Sequence, residues 1–342
     1  MQLILGDIKI KEFAPVVIPT LCRYEHLMSL LESLSKCRLA DKTEVYIAVD
    51  YPARDSHKDG YNRICEYLDN VGDLGFKKIN IIKRETNHGF GKNGNARNLI
   101  NYVLKRHNRF IFTEDDNIFA PGYLEFMNYN LQKFERDKTI LAVSGYMYPI
   151  ETGFTTFKIL KLEQFSAWGY GTWKDRRDYL SNIQYDNSKK EIILNDPFTI
   201  NRCKAVRLNL YTDLIGMTKG EPLLGDSLYS ILQIHKRWRT IFPSKSLVRN
   251  CGWDGSGTHG GVLDIYLTQP LETSATISDY TFADDNENVT IDNRVYDYHR
   301  NNIATIQKCL TLITYYLYKY TGKHFQFKRL RNLWKAIRGF KS

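Results

Sequence analysis

Apolar and polar positions along the first 150 residues follow two periods in turn. Phe13-Ala14-Pro15-Val16-Val17-Ile18-Pro19 reads as a buried first strand, Glu44-Val45-Tyr46-Ile47-Ala48-Val49 as a second strand and the run 78–83 as a third. Between the first two, Leu27, Leu30, Leu31 and Leu34 recur at helical spacing and predict a helix over 24–35; a second amphipathic helix is expected around 61–71. The glycine-rich segment Thr86 to Asn98 then feeds a predicted helix over 96–106, with Leu99, Ile100, Val103 and Leu104 on one face. A fourth strand, starting at Arg109, runs into Glu114-Asp115-Asp116. This alternation predicts an α/β fold with a mostly parallel central sheet flanked by helices.

Further on, the pattern predicts a helix over 123–134, a strand over 140–145, a helix from Leu223 to His235 and a strand over 239–243. Aromatics and glycines mix in Ala167-Trp168-Gly169-Tyr170-Gly171-Thr172-Trp173, and glycine and polar groups dominate 250–261. The polar stretch 279–293 reads as a surface loop separating the body from the C-terminal tail. There is no internal repeat.

Charge refines this picture through its distribution. The formal net charge is +10, yet residues 298–342 hold ten Lys or Arg and no Asp or Glu, so the rest is balanced. A patch confined to one end argues against a nucleic-acid partner and for a local anionic one. Leu330, Leu333, Trp334 and Ile337 share a helical face, with Lys328, Arg329, Arg331, Lys335 and Arg338 mostly on the other, the pattern of a basic amphipathic helix on an anionic membrane surface. A solvated helix packed on the domain has the same signature. The six cysteines form no CxxC pair, and no stretch approaches the ~18 apolar residues of a membrane span. A reducing, cytoplasmic setting is expected, with peripheral contact at the inner face of a membrane.

Acids at the ends of two predicted parallel strands, Asp50 and Glu114-Asp115-Asp116, with a basic glycine-rich loop between them, outline a nucleotide site. Arg23 and Arg97 could face base or phosphate. Taken singly, each has a blander reading: a solvated turn for the acids, an exposed helix position for Arg97. No Gly-Lys-Ser/Thr closes the loop, and Asp50 precedes it, so neither a Walker motif nor a dinucleotide fingerprint fits.

Asp50, Asn87-x-Gly89, Ala96-Arg97-Asn98, Glu114-Asp115-Asp116, Trp168-Gly169, Trp173, Asp226-Ser227 and Gly255-Ser256-Gly257-Thr258-His259, in that order, resemble family 2 glycosyltransferases of the GT-A fold. The segment Thr113 to Phe126 is similar to the metal-binding segment of the N-acetylglucosaminyltransferase I family. The resemblance covers about residues 13–261. It implies transfer, with inversion, of a hexosyl or N-acetylhexosaminyl group from a nucleotide sugar, usually a UDP-sugar, to a hydroxyl of a glycan or lipid-linked glycan. By the same resemblance Asp50 would meet uracil or ribose, Arg97 base or phosphate, and Asp115 ribose or donor sugar, with Glu114 contributing to that pocket. Asp116 would hold Mn²⁺ or Mg²⁺, with His259 completing the site, and Asp226 would be the general base, with Glu221 a weaker substitute. Trp168, Tyr170 and Trp173 would stack on a pyranose, and Gly169 would allow close backbone approach. The implied division is a nucleotide-sugar half over 1–150, an acceptor half over 151–262 and a basic extension over 263–342. A nucleotidyltransferase, or a binding module without catalysis, is the alternative.

Overall fold

The computed structural model describes residues 4–5, 8–207, 225–256 and 263–302, together with 210–211, 213–214, 216, 309, 313, 316–317 and 320–321. In chain order its strands are β1 (Ile4–Leu5), β2 (Ile8–Lys9), β3 (Val16–Thr20), β4 (Glu44–Val49), β5 (Lys78–Lys83), β6 (Arg109–Phe112), β7 (Asn117–Phe119), β8 (Ile140–Ser144), β9 (Phe157–Leu162), β10 (Tyr170–Trp173), β11 (Arg239–Pro243), β12 (Val248–Asn250) and β13 (Tyr280–Phe282). The helices are α1 (Tyr24–Ser35), α2 (Lys58–Asp69), α3 (Asn95–Val103), α4 (Tyr123–Lys133), α5 (Lys174–Gln184), α6 (Asn187–Leu194), α7 (Pro197–Val206), α8 (Gly225–Lys236), α9 (Asp264–Leu267) and α10 (Asp285–Asn302).

Nine strands form one sheet in the order β13-β9-β11-β8-β10-β6-β3-β4-β5. Five of its eight pairings are parallel, and β10 lies antiparallel to both β6 and β8. The strands are apolar on both faces because both are covered. Along β3 and β4, Val16, Ile18, Val45 and Ile47 pack with Leu27, Leu30, Leu31 and Leu34 of α1. The intervening Val17, Tyr46 and Ala48 pack with Leu99, Ile100 and Val103 of α3 and with Leu180 and Ile183 of α5. Period-two strands meeting period-3.6 helices thus build a three-layer core whose parallel strands β3, β4 and β6 end at one common edge.

The stretch 279–293 is not a surface loop. Its start is β13, which pairs parallel with β9, and the remainder opens α10. Asn288, Ile291, Asp292, Val295 and Tyr296 are the buried face of α10, at helical spacing. Two of those five are polar, which hid the period: the Asn288 side-chain oxygen accepts from the Lys161 N–H at 2.9 Å, and the Asp292 carboxylate accepts from the Glu163 N–H at 2.9 and 3.1 Å. Strand β9 and helices α5 to α7 lie in the region where the sequence pattern loses regularity. No helix among the described residues is long and apolar enough to cross a membrane.

Candidate active site

The common edge gathers acids from separate segments around one arginine. Where β3 ends, the Thr20 hydroxyl donates to Asp115 Oδ2 at 2.7 Å, and three residues on Arg23 reaches back over the end of β6. Its guanidinium bridges the acid pair, Nη2 on Asp115 Oδ1 and Nη1 on Asp116 Oδ2, the latter at 2.7 Å. Burial opposes the Arg23 charge, but the two carboxylates overcome it and hold the guanidinium protonated. Asp115 and Asp116 are 5% and 7% exposed, so these are charge-assisted bonds shielded from water.

The other oxygen of Asp116 is held from β12, whose Asn250 Nδ2 donates to Oδ1 at 2.8 Å and to Asn117 Oδ1 at 3.0 Å. The Cys251 N–H donates to the Asp116 carbonyl at 2.7 Å, and Gly252 passes so close that a Cβ there would sit 2.0 Å from Asp116 Oδ2. Burial, with Asp116 next in effect, pushes the Glu114 carboxyl up to about 8, and Asp226 adds to that push. Asp226 therefore stands within electrostatic reach of the cluster, half-buried at the start of α8, where its Oδ1 accepts from the Ser227 N–H at 2.9 Å.

Asp50 lies at the same edge in the next strand, its N–H bonded to the Thr20 carbonyl at 2.9 Å. Its carboxylate accepts from the backbone N–H groups of Tyr51 (3.0 Å), His88 (2.8 Å) and Gly89 (2.8 Å). It is thus the anchor of the glycine-rich loop, and Gly89 itself adopts φ +54, a conformation that suits glycine. Arg97, from α3, is engaged with α5 and the residue after it: Nη2 donates to Gln184 Oε1 and the guanidinium lies 4.7 Å from the Tyr185 ring centroid.

The aromatic segment divides. Trp168 is half-buried, edge-on to Tyr146 and Tyr266 at 4.8 and 5.2 Å. Tyr170 is packed among Phe112, Phe165 and Tyr229, and its hydroxyl donates to the Tyr229 hydroxyl at 3.2 Å. Trp173 is 2% exposed with its indole N–H on the Leu131 carbonyl at 3.0 Å, so it is a core residue, not a stacking platform. Gly169 has φ +65 and lies against Val248 and Tyr123, where a Cβ would meet atoms at 2.9 and 3.0 Å. His259 and Glu221 lie outside the described residues.

Sequence reading passed over Thr20, Asn250 and Gly252. Thr20 ends a strand and Arg23 follows it closely, a usable signal; Asn250 is brought in by pairing of β12 with β7, which no local pattern marks.

The donor set suits a hard divalent cation in part. Asp115 and Asp116 against one guanidinium leave an excess of negative charge even with Glu114 holding its proton, and the acid pair offers oxygen donors. Among the described residues no three such side chains converge as a self-contained cage, so a cation here would draw remaining ligands from phosphate and water, and needs Arg23 to release Asp116.

The sequence matches no protein-family model and none of the curated proteins. Among solved structures, the mannosyltransferase PcManGT from Pyrobaculum calidifontis, in complex with GDP-Man and Mn²⁺, is similar over 96% of this chain and 84% of its own, at 10% identity and a TM-score of 0.36. TarS 1–349 of S. aureus, in complex with UDP, is similar over 90% of this chain and 72% of its own, at 11% identity and a TM-score of 0.33. A longer S. aureus TarS chain is 19% identical over 35% of this chain, with a TM-score of 0.26, and the match spans only 20% of that protein's length.

Proposed function

We propose that this chain is an inverting GT-A glycosyltransferase that moves a sugar from a nucleotide donor, a UDP-sugar in the first instance, to a hydroxyl of a glycan or lipid-linked glycan. The observation that carries it is the convergence of Arg23, Asp115 and Asp116 beside Glu114 at the edge where the parallel strands end, which is where ligands of such sheets bind, with Asp226 within electrostatic reach of Glu114.

In this reading the Asp50-anchored loop shapes the wall for the nucleotide, and Thr20 fixes the Asp115 carboxylate toward ribose or donor sugar. The Asp226 carboxylate takes the proton of the acceptor hydroxyl as that oxygen attacks the anomeric carbon, whose bond to the diphosphate oxygen breaks. One C–O bond forms, one breaks on the opposite face, and the proton rests on Asp226. Arg23 is free to pass from the acid pair to the phosphates, exchanging one anionic partner for another. Mn²⁺ or Mg²⁺ held by Asp116, with Asp115 beside it, would supply further neutralisation of the leaving diphosphate.

Calorimetric titration of UDP-, GDP- and CMP-sugars with and without Mn²⁺, followed by single-turnover transfer, tests the reading. Asp226→Asn should bind donor within about threefold of wild type and lose about 10²–10⁴-fold in transfer rate, the range of a general base. Absence of nucleotide-sugar binding under every condition would count against the assignment as a whole.

A further inference from the structure

Resting on the proposed transfer reaction, we infer that the open polar hollow between α3 and α5 is an anion subsite for a phosphate or carboxylate carried by the acceptor, so that the acceptor is an anionic glycan. The hollow encloses roughly 430 Å³ and is lined on one side by Lys92, Asn93, Arg97 and Asn98, on the other by Ser181 and Tyr185.

Two cations, Lys92 and Arg97, line it, and a third, Arg177, lies behind them beside Arg97. Arg97 is held by a neutral amide, Gln184, and by the Tyr185 ring, over which Lys92 also lies at 5.4 Å. Arg177, Ser181 and Gln184 fall at i, i+4 and i+7 on α5, one face of the helix, which sets Arg177 beside Arg97. Arg177 is 7% exposed; its Nη1 donates to Ser181 Oγ at 2.7 Å and its Nε is buried without a partner. Among the described residues, neither arginine nor Lys92 makes an ion pair. Asp186 also lines the hollow, but its carboxylate is turned to the Ser188 and Lys189 N–H groups, 3.0 and 3.3 Å away, as the cap of α6. A buried guanidinium such as Arg177, held only by neutral groups, is costly, and a second cation, Arg97, beside it adds to the cost unless an anion completes them.

Position argues for the acceptor. The buried Tyr170–Tyr229 hydroxyl pair links the two regions: Tyr170 feels the charge of both Arg177 and Glu114. Tyr229 lies three residues after Asp226 on α8, about one turn or ~5 Å along the axis. An acceptor presenting its hydroxyl to Asp226 could therefore carry a negative group toward Arg97 and Arg177, while the donor phosphates have Arg23. A neutral glycan has no use for such a set.

Inorganic phosphate titrated into the full chain already saturated with UDP tests this, in wild type and in Lys92→Gln, Arg97→Gln and Arg177→Gln. Phosphate should bind the UDP-loaded protein, each arginine variant should weaken it about tenfold or more, and the UDP affinity of Lys92→Gln and Arg177→Gln should stay within about threefold of wild type. Exclusion of phosphate by UDP would overturn the inference, since the cations would then serve the donor diphosphate; so would variants that bind phosphate as wild type does. Arg97 and Lys92 are solvent-accessible, which keeps the test decisive if the buried Arg177→Gln misfolds. Phosphate binding that depends on Arg97 in a protein that fails to bind UDP would remove the nucleotide-sugar reading and leave the anion subsite standing.

Discussion

Arg23 holds two carboxylates that the proposed function assigns to other partners, so its bonds set the terms on which a cation enters. Each charge-assisted bond contributes about 1.5–3 kcal/mol, and a divalent ion on Asp116 has to displace at least the one on Oδ2. Arg23→Met should therefore tighten Mn²⁺ binding to the nucleotide-free protein by about tenfold or more, measured as loss of the free-Mn²⁺ paramagnetic resonance signal. Without Mn²⁺ the same variant should melt lower, because a buried acid pair has lost its partner, and added Mn²⁺ should restore part of the loss. Equal Mn²⁺ affinity in the two proteins would show that Arg23 and the cation do not compete. Gly252 makes a second demand: a methyl group there would lie 2.0 Å from Asp116 Oδ2, so the loop after β12 would have to lift away. Gly252→Ala is expected to raise the donor KM about tenfold or more with global stability within about 1 kcal/mol of wild type, since the strain falls on a surface loop. An unchanged KM would separate that loop from the donor pocket.

The elements with an uninterrupted apolar run or a regular leucine spacing were the most legible in the sequence. The strands over 44–49, 78–83 and 239–243 and the helix over 24–35 are found at the boundaries that their apolar runs and leucine spacing predict. Boundaries shifted where local chemistry competes: the helix after the glycine-rich loop begins at Asn95 and ends at Val103, and β3 starts after Pro15. Acids at strand ends were readable for the same reason, whereas Asn250 and the inward turn of Trp173 depend on tertiary pairing that local pattern does not encode. Helix α10 was missed because Asp292 sits in its buried face. Burial pushes that carboxyl up to about 7, with Glu163 adding to the rise while the Glu163 N–H, Arg239 and Gln164 oppose it. The unfolded carboxyl titrates near 3.9, so between roughly pH 4 and pH 7 the native state holds the extra proton. Its stabilisation is complete below the lower value and is lost as pH rises through the upper one. Urea midpoints from pH 4 to pH 8 should therefore fall more steeply with pH in wild type than in Asp292→Asn, the difference amounting to about 1–3 kcal/mol. Parallel curves would mean that Asp292 stays ionised in the fold throughout.

Across the whole chain, charge is partitioned: the ten basic residues of 298–342 carry the entire excess, and the remaining 297 residues hold 38 of each sign. The amphipathic segment 328–338 lies outside the described residues, and its partner has to be found in solution. Each Lys or Arg near an anionic bilayer contributes about 1 kcal/mol, and seven of them follow Tyr320. With Leu330, Leu333, Trp334 and Ile337 entering the headgroup boundary, the sum is enough for reversible docking. The full chain should float with phosphatidylglycerol vesicles at low salt, stay down with neutral phosphatidylcholine vesicles, and be released by about 0.5 M NaCl as screening shortens to a few ångströms. A truncation after Tyr320 should remain in the soluble fraction in all three. If both forms stay soluble, the tail docks elsewhere. If it does dock, transfer to a lipid-anchored acceptor in vesicles should fall on truncation while transfer to a water-soluble acceptor does not, because Arg23, Asp115 and Asp116 belong to the sheet edge and not to the tail.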